Sequence, residues 1–319
     1  MNKENNNPSL VFFGTPEFAS HCLNALLNSN FKVLSVVTAP DKKAGRGKKL
    51  TSSVVKQFAK SKGLPILQPT NLKSPKFISQ LLEFNADVFV VVAFRMLPRV
   101  VWSSPKLGTI NLHASLLPNY RGAAPINWVL INGEEKTGVT TFFIDEKIDS
   151  GSLLLQKEVL IDPLENAATL HDKLLNLGAP LIIETLRGIK SRILTAKKQN
   201  ISKLKFEAPK LNIENTKLEW GCKLKILNNK IKGLSPYPGA WSFFENNGIR
   251  GRLKIFSAEI IYEEHLFPIN KILIKEHKIY ITGAEGYLNC LEIQLPNKKR
   301  MTAKALLNGY KFDTNSRVL

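Results

Sequence analysis

The apolar run over residues 88–93 is the feature that most constrains the fold of this 319-residue chain. Every residue in the run is hydrophobic, which is typical of a central strand that helices cover on both faces. Two further strand patterns, residues 10–13 and 31–37, lie on either side of an amphipathic helical pattern. A strand, a helix and a second strand in this order predict a parallel sheet with a right-handed crossover.

Strand and helix patterns continue to alternate as far as residue 188, which indicates an α/β fold. The helical patterns cover residues 53–62, 74–82 and 167–187, and the strand patterns cover 65–67, 137–144 and 153–161. A single glycine, Gly14, follows the first strand, so the three-glycine fingerprint of a dinucleotide site is missing. We therefore predict a Rossmann-like, mostly parallel sheet domain over residues 1–188, without a nicotinamide cofactor.

The hydrophobic pattern becomes irregular and lysine-rich after residue 188, and we interpret residues 189–216 as a linker. Beyond the linker, short β-like runs alternate with turn residues. These runs cover residues 223–227, 252–256, 271–274, 280–282 and 288–294. We predict a second domain over residues 217–319, a small C-terminal β-barrel of the OB-like kind.

The formal net charge of +19 allows two interpretations. A polyanionic partner such as nucleic acid is one, because a strongly basic surface attracts phosphates. Compositional bias is the other, because the 35 lysines far outnumber the 10 arginines. Residues 1–207 carry 27 basic and 16 acidic side chains, and residues 208–319 carry 18 and 10. Both parts are basic, so the charge alone does not single out a binding region.

Cellular location and metal content are constrained by composition. No apolar run in the sequence approaches the ~18–20 residues of a membrane span. Residues 1–8 are polar and lack the apolar core of a secretory signal. Cys22, Cys222 and Cys290 are widely spaced, so they predict neither a metal-ligand cluster nor a disulfide framework. We expect a cytoplasmic protein without a membrane partner and without a metal site.

Residues 41–49 contain five positive charges, two glycines and no hydrophobic side chain larger than alanine. This composition predicts a mobile surface loop. A solvated connection would account for the polarity, but the segment is longer than a tight connection needs. The functional alternative is a basic loop that grips phosphates and becomes ordered on contact.

Ile110 and Leu112 alternate with Asn111 and His113, which predicts a strand with both polar side chains on one face. Asparagine can hold an oxyanion or an amine, and histidine can move a proton near neutral pH. The segment over residues 115–118 leaves this strand, and we expect it to expose two leucines that line an apolar slot. Structural histidines are common, so the pair does not identify a reaction by itself.

Asp149 lies in an acidic turn between two predicted strands, where it could meet His113 across the sheet. A carboxylate on one imidazole nitrogen orients the ring and favours its protonated form. The structural alternative is a turn-forming aspartate ahead of Ser150 and Gly151. These residues alone leave both interpretations open.

Short motifs in a fixed order extend over nearly the whole chain. They are Phe13-Gly14-Thr15-Pro16, Pro40-Asp41 through Gly45-Arg46-Gly47-Lys48-Lys49-Leu50, Asn111-x-His113-x-Ser115-Leu116-Leu117-Pro118, Tyr120-Arg121-Gly122-Ala123-Ala124-Pro125-Ile126, Thr137-Gly138-Val139-Thr140, Ile148-Asp149-x-Gly151, Ala208-Pro209-Lys210-Leu211 and Ser235-Pro236-Tyr237-Pro238-Gly239-Ala240-Trp241. In order and spacing, this set resembles the methionyl-tRNA formyltransferase family. The central motif is shared by the wider class of folate-dependent formyltransferases, whereas the basic loop and the second domain point to tRNA.

The resemblance implies transfer of a formyl group from 10-formyltetrahydrofolate to the α-amino group of methionyl initiator tRNA, for translation initiation. The family's catalytic residues correspond to Asn111, His113 and Asp149. Its folate-binding segment corresponds to Ser115, Leu116, Leu117 and Pro118. Its tRNA-binding loop corresponds to Arg46, Lys48 and Lys49. The resemblance implies no metal, and we expect a monomer.

Two other functions remain as alternatives. A formyltransferase that acts on an amino sugar nucleotide or another small amine would use the same chemistry, but the basic loop and basic second domain count against it. A nucleic-acid-binding protein without turnover would explain the charge, but it leaves the catalytic group unexplained. The turn over residues 94–97 departs from the family because it is one residue shorter than in many members.

Overall fold

The computed structural model describes residues 7–44 and 49–319, which divide into two units. The sheet unit comprises the chain up to residue 125 together with residues 136–159 and 171–207. The barrel unit comprises residues 126–135, 160–170 and 208–319. The chain therefore enters the barrel unit twice before its long final segment begins.

Helices and strands alternate along the first part of the described chain, and strands dominate the second part. The strands are β1 Leu10–Gly14, β2 Val33–Val37, β3 Lys42–Ala44, β4 Lys49–Thr51, β5 Ile66–Leu67, β6 Val88–Val92, β7 Thr109–His113, β8 Arg121–Gly122, β9 Lys136–Phe143, β10 Leu153–Leu160, β11 Glu207–Ala208, β12 Ala240–Asn246, β13 Ile249–Tyr262, β14 Ile272–Lys275, β15 Lys278–Gly283, β16 Gly286–Gln294, β17 Met301–Thr302 and β18 Arg317–Val318. The helices are α1 Glu17–Asn28, α2 Val54–Ser61, α3 Pro75–Glu83, α4 Arg99–Trp102, α5 Pro125–Ile131, α6 Ala167–Lys190, α7 Leu224–Leu234 and α8 Ala303–Leu307.

The sheet unit is built on a seven-stranded sheet in the order β10-β9-β7-β6-β1-β2-β5. The pairs from β7 to β5 are parallel, and β9 runs antiparallel to β7. The central strand β6 is buried along its whole length, as its uninterrupted apolar sequence predicts. The prediction of a Rossmann-like, mostly parallel sheet is confirmed.

Helices cover this sheet with apolar faces that follow their sequence periodicity. Phe77 and Leu81 of α3 belong to one buried cluster with Phe13 of β1 and Phe89 of β6. Each such side chain contributes about 1.5–3 kcal/mol when it is fully buried. Packing of this kind fixes the sheet and, with it, the ends of the strands that carry the polar residues.

The predicted basic loop contains more regular structure than its composition indicates. Strands β3 and β4 pair antiparallel, so the described parts of the segment form a short ribbon and not a loop. Asp41, just before β3, forms an ion pair of 2.6 Å with Lys56, and hydrogen bonds from Lys56 and Gln68 lower the pKa of its carboxyl. Arg46 and Lys48 lie outside the described residues.

The barrel unit is built on an antiparallel sheet in the order β14-β15-β16-β13-β12-β18, with β17 beside β16. The Ile272 N–H donates to the Ser316 carbonyl, and the Val318 N–H donates to the Asn270 carbonyl, both at 2.9 Å. These bonds join the first strand of the sheet to the last. The prediction of a C-terminal β-barrel is confirmed.

One predicted strand of this unit is wrong. Residues 223–227 were expected as a β-like run, but they open the helix α7. Leu224, Leu227, Ile231 and Leu234 are all buried, and their spacing places them on one helical face. This face packs into the core that the barrel strands line.

Three further observations apply to residues 7–44 and 49–319. No helix there combines the length and the hydrophobicity that crossing a membrane requires. These residues also contain no group of three or more His, Cys, Asp or Glu side chains arranged to hold a metal ion. Cys22 and Cys290 are buried free thiols, and burial raises the pKa of each to about 12, whereas the free Cys222 is exposed.

Candidate active site

Strand β7 places Asn111 and His113 on the same face of the sheet. Ile110 and Leu112, which alternate with them, are buried, as the period-two pattern predicts. Asn111 lies opposite Val91 of β6 on one side and Phe142 of β9 on the other. The strand ends at His113, which is 6% exposed.

Both ring nitrogens of His113 face an oxygen atom. Nε2 lies 2.7 Å from the backbone oxygen of Tyr120. A carbonyl oxygen only accepts hydrogen bonds, so Nε2 carries a hydrogen and donates it. Nδ1 lies 3.6 Å from Oδ2 of Asp149. The structure therefore brings His113 and Asp149 together across 36 positions of sequence, at a largely buried site where solvent screens their interaction little.

Asp149 is held in an unusual backbone conformation. Its φ of 52° lies in the left-handed region, which costs a non-glycine residue of order 1 kcal/mol or more. Its Oδ2 accepts the N–H of Gly122 at 2.9 Å, which directs the carboxylate towards His113. A Cβ on Gly151 would lie 1.6 Å from the Phe143 carbonyl oxygen, so this tight turn requires glycine two residues after Asp149.

Asn111 has an unpaired buried oxygen. Its Oδ1 is shielded from solvent and has no hydrogen-bond partner within the described part of the chain. A buried acceptor left unpaired costs about 1–3 kcal/mol, so natural proteins rarely retain one without a use. Rotation of the amide by 180° exchanges Oδ1 and Nδ2, and the side chain can therefore offer either an acceptor or a donor to a bound molecule.

The segment after β7 forms a turn held by buried hydrogen bonds. Oγ1 of Thr140 donates to the Ser115 carbonyl at 2.6 Å and accepts the Leu117 N–H at 3.2 Å. Nε2 of Gln156 donates to the Leu117 carbonyl at 2.9 Å, and the Leu117–Pro118 peptide is cis. These bonds fix the direction in which the turn leaves the strand.

The expected exposure of this turn is wrong for one leucine. Ser115, Leu117 and Pro118 are buried, and only Leu116 is half-exposed. Leu117 turns inwards because its N–H and carbonyl are both bonded to side chains of neighbouring strands. Any apolar slot at this turn is therefore lined by Leu116 and not by both leucines.

Gln199 is a site residue that no sequence pattern predicts. Its Nε2 donates to the carbonyls of Asp149 and Gly151, both at 2.8 Å. Its Oε1 accepts from Nε and Nη2 of Arg121 at 3.2 and 2.6 Å. Gln199 lies in a lysine-rich stretch with no periodic pattern, so no sequence signal distinguished it from the residues around it.

Comparison with known proteins assigns the chain to a family. Residues 9–186 match the formyl transferase family, and residues 210–311 match the formyl transferase C-terminal domain. The methionyl-tRNA formyltransferase of Flavobacterium johnsoniae is 48% identical over 310 residues, which cover 97% of this chain and 98% of that protein. The chain belongs to the methionyl-tRNA formyltransferase family. The enzyme of that name from Bacteroides thetaiotaomicron is 44% identical, over 95% of this chain and 96% of its own length.

Solved structures share the fold of this formyltransferase chain at low sequence identity. HypX from Aquifex aeolicus, determined with tetrahydrofolic acid, gives a TM-score of 0.64 at 17% identity, and the match covers 96% of this chain and 49% of HypX. An N-formyltransferase from Helicobacter canadensis, determined with folinic acid and dTDP-3-aminofucose, gives a TM-score of 0.62 at 22% identity, over 89% of this chain and 98% of that one. These likenesses establish the fold.

The turn over residues 93–97 follows β6. Ala93 begins this turn with a φ of 47°. The ring centres of Phe94 and Phe13 lie 5.8 Å apart. The Arg95 guanidinium donates to the carbonyls of Thr70 and Pro69, and Met96 is 64% exposed. Arg95 therefore ties this turn to the segment that follows β5.

Proposed function

We propose that the protein transfers a formyl group from 10-formyltetrahydrofolate to the α-amino group of methionyl initiator tRNA. The observation that carries this proposal is the His113–Asp149 contact of 3.6 Å beside the unpaired Oδ1 of Asn111. Family membership supports the same reaction, because curated relatives over nearly the full length carry this activity in their names.

In the proposed reaction, the α-amine attacks the formyl carbon and a C–N bond forms. An oxyanion develops on the formyl oxygen, and Asn111 and His113 stabilise it as hydrogen-bond donors. Asp149 orients His113 and assists removal of the proton from the attacking amine. The C–N bond to the folate then breaks, and the departing folate nitrogen takes up a proton.

The geometry around His113 adds one requirement to this mechanism. In the structure, Nε2 donates to the Tyr120 carbonyl and Nδ1 faces Asp149. We propose that Nε2 exchanges the Tyr120 carbonyl for the oxyanion when both substrates are bound. Tyr120 has a φ of 63°, and a residue in this region is held there by its surroundings.

We propose that the folate donor lies against Ser115, Leu116, Leu117 and Pro118. The turn is held rigidly by Thr140 and Gln156, and a preformed wall of this kind reduces the entropy lost on binding. Leu116 is its accessible apolar side chain. No metal takes part in the proposed reaction.

We propose that residues 1–188 form the catalytic domain, that 189–216 link it to the next, and that the barrel of residues 217–319 binds tRNA. On the barrel, the Arg252 guanidinium lies 4.3 Å from the ring centre of Trp241 and 5.9 Å from that of Phe243. Arg250 and Arg252 are exposed on β13, and Phe243 is 39% exposed on β12. Cations interleaved with aromatic rings suit a phosphate backbone and its bases.

We propose that Arg46, Lys48 and Lys49 also contact the tRNA. Lys42 and Lys43, at the start of the same segment, are exposed and add to its positive charge. Phosphates release bound counterions when such residues neutralise them, which favours binding most strongly at low salt concentration. We further propose that the protein acts as a monomer in the cytoplasm.

Formyl transfer from 10-formyltetrahydrofolate to four acceptors tests this function. Charged initiator tRNA, charged elongator methionyl-tRNA, free methionine and an amino sugar nucleotide are compared by kcat/KM. We expect initiator methionyl-tRNA to be the preferred acceptor. Preference for the amino sugar nucleotide would show that it, and not tRNA, is the acceptor. Transfer to none of the four acceptors would reject the proposed reaction.

A further inference from the structure

We propose that Gln199 is a positioning residue that holds Asp149 in its catalytic orientation, an inference that rests on the proposed role of Asp149. The side chain of Gln199 bonds to Arg121 and to the turn that carries Asp149. It acts on the backbone of the turn from which the Asp149 side chain projects.

All four hydrogen-bonding positions of the Gln199 amide are used. Its two N–H groups donate to the Asp149 and Gly151 carbonyls, and its oxygen accepts two bonds from Arg121. Because a guanidinium only donates and a carbonyl only accepts, a flipped amide would lose all four bonds. The partners therefore select one orientation of the Gln199 side chain.

The Asp149 turn needs such support from outside. Its left-handed φ of 52° is unfavourable for aspartate. The carbonyls of Asp149 and Gly151 point the same way, towards one amide, and would both lose a partner without it. Loss of the amide would therefore allow the turn to relax and move the carboxylate relative to His113.

Gln199 is also connected, through Arg121, to the group that fixes the Asp149 carboxylate. The Gly122 N–H bonds to Oδ2 of Asp149, and Arg121, the preceding residue, bonds to Gln199. The Gln199 main chain is placed by a backbone pair between Lys197 and Leu153, at 2.7 and 2.9 Å. Carboxylate, turn and amide thus form one hydrogen-bonded ring, which a single substitution opens.

The first experiment measures kcat, the KM for the folate donor and the Kd for tRNA of Gln199→Leu and Gln199→Glu. The glutamate keeps acceptors for Arg121 but places oxygen against the two carbonyls. We expect kcat to fall on the order of 100-fold in both variants, because small displacements of catalytic groups have effects of this size. The KM for the folate donor and the Kd for tRNA should stay within about twofold of the values for the unchanged protein. A twofold change in Kd corresponds to a change in binding free energy smaller than RT.

Asn200→Ala is the matched control. Asn200 is the adjacent residue, is exposed, and caps the next turn by accepting the Ser202 N–H at 3.1 Å. A kcat loss in Asn200→Ala equal to that in Gln199→Leu would show that the segment matters only for folding. Full kcat in Gln199→Glu would overturn the inference, because that variant lacks both donors to the turn.

A double-mutant cycle with Asp149→Asn separates this inference from the proposed function. If Gln199 acts through Asp149, Gln199→Leu should lower kcat by less than about twofold in the Asp149→Asn background. A full additional loss there would overturn the positioning role. Near-normal kcat in Asp149→Asn alone would instead reject the catalytic role of Asp149, and with it the basis of the inference.

Discussion

At the scale of single residues, Asn111 and His113 differ in how the protein satisfies their polar atoms. Both His113 nitrogens face oxygen atoms of the protein, whereas Oδ1 of Asn111 has no partner in the described chain. Oxygen atoms on both sides fix the orientation of the imidazole ring, so in the proposed reaction only the partner of Nε2 has to change. The unpaired amide oxygen gains most when a substrate brings a hydrogen-bond donor to it.

His113→Ala should lower kcat by about 10²- to 10⁴-fold, because it removes a donor and proton carrier from the reacting centre. The Kd for tRNA should remain unchanged, since the imidazole is buried. His171→Ala is the control, because His171 forms a similar pair with Asp172, at 3.0 Å, outside the site. Single-turnover formyl transfer measures the effect, and a near-normal rate would reject the mechanism.

Asn111→Leu should separate activity from stability. We expect kcat to fall about 10²- to 10³-fold with the loss of an oxyanion donor. The free energy of unfolding should stay the same or rise, because the unpaired buried oxygen is gone. Thr137→Val is the control, since Oγ1 of Thr137 is also buried and unpaired among the described residues. Urea unfolding and kcat are measured on both variants. Destabilisation of Asn111→Leu without destabilisation of Thr137→Val would contradict this prediction.

At the scale of elements, the turn after β7 depends on side chains of β9 and β10. Thr140 and Gln156 come from strands that follow the turn in sequence, and they bond to its backbone at Ser115 and Leu117. The hairpin of β9 and β10 therefore supports the proposed folate segment on one side and carries Asp149 in its connecting turn. One element thus places both parts of the site.

Thr140→Val should destabilise the protein by about 1–3 kcal/mol, because it leaves the buried Leu117 N–H and the Ser115 carbonyl without their partner. The KM for the folate donor should rise as the turn loosens. Thr195→Val is the control, since Thr195 is exposed. Urea unfolding gives the stability change, and equal free energies for the two variants would contradict the assigned role of Thr140.

How far the sequence predicts these elements depends on the length of each pattern. The predictions of the buried strands and of the alternation at Asn111 and His113 are reliable, because several residues of each pattern indicate the same element. Residues 223–227 were misassigned because Leu224 and Leu227 alone do not distinguish a strand from a helix, and the decisive Ile231 and Leu234 lie beyond them. Gln199 could not be predicted, because its role comes from tertiary contacts that leave no periodic trace.

At the scale of the whole molecule, the charge of +19 has no single source. The basic segment of residues 41–49 and the β12–β13 hairpin each carry exposed cations in the described parts. Contacts of this kind act on phosphates wherever they occur, so they supply affinity more than selectivity. Selection among acceptors is therefore expected to depend on the catalytic site as well as on charge.

Arg46→Ala should weaken the use of aminoacyl-tRNA far more than the affinity for folate. Removal of one phosphate contact should lower the slope of log K against log salt concentration by about 1. Arg187→Ala removes the same charge from an exposed position on α6 and is the control. Equal losses of tRNA and folate affinity in Arg46→Ala would reject the assignment of this segment.

Segments of the two units alternate along the chain, and this limits where the chain can be recombined with that of a homologue. Residues 126–135 belong to the barrel unit. Within them, Nδ2 of Asn127 donates to the Gly233 carbonyl at 2.7 Å, and Nε1 of Trp128 donates to the Pro209 carbonyl at the same distance. A fusion that transplants only residues 208–319 would leave these partners behind and carry an incomplete unit. Recombination just before residue 208 therefore separates Asn127 and Trp128 from their partners, and we expect the segments on either side of that position to be exchanged together.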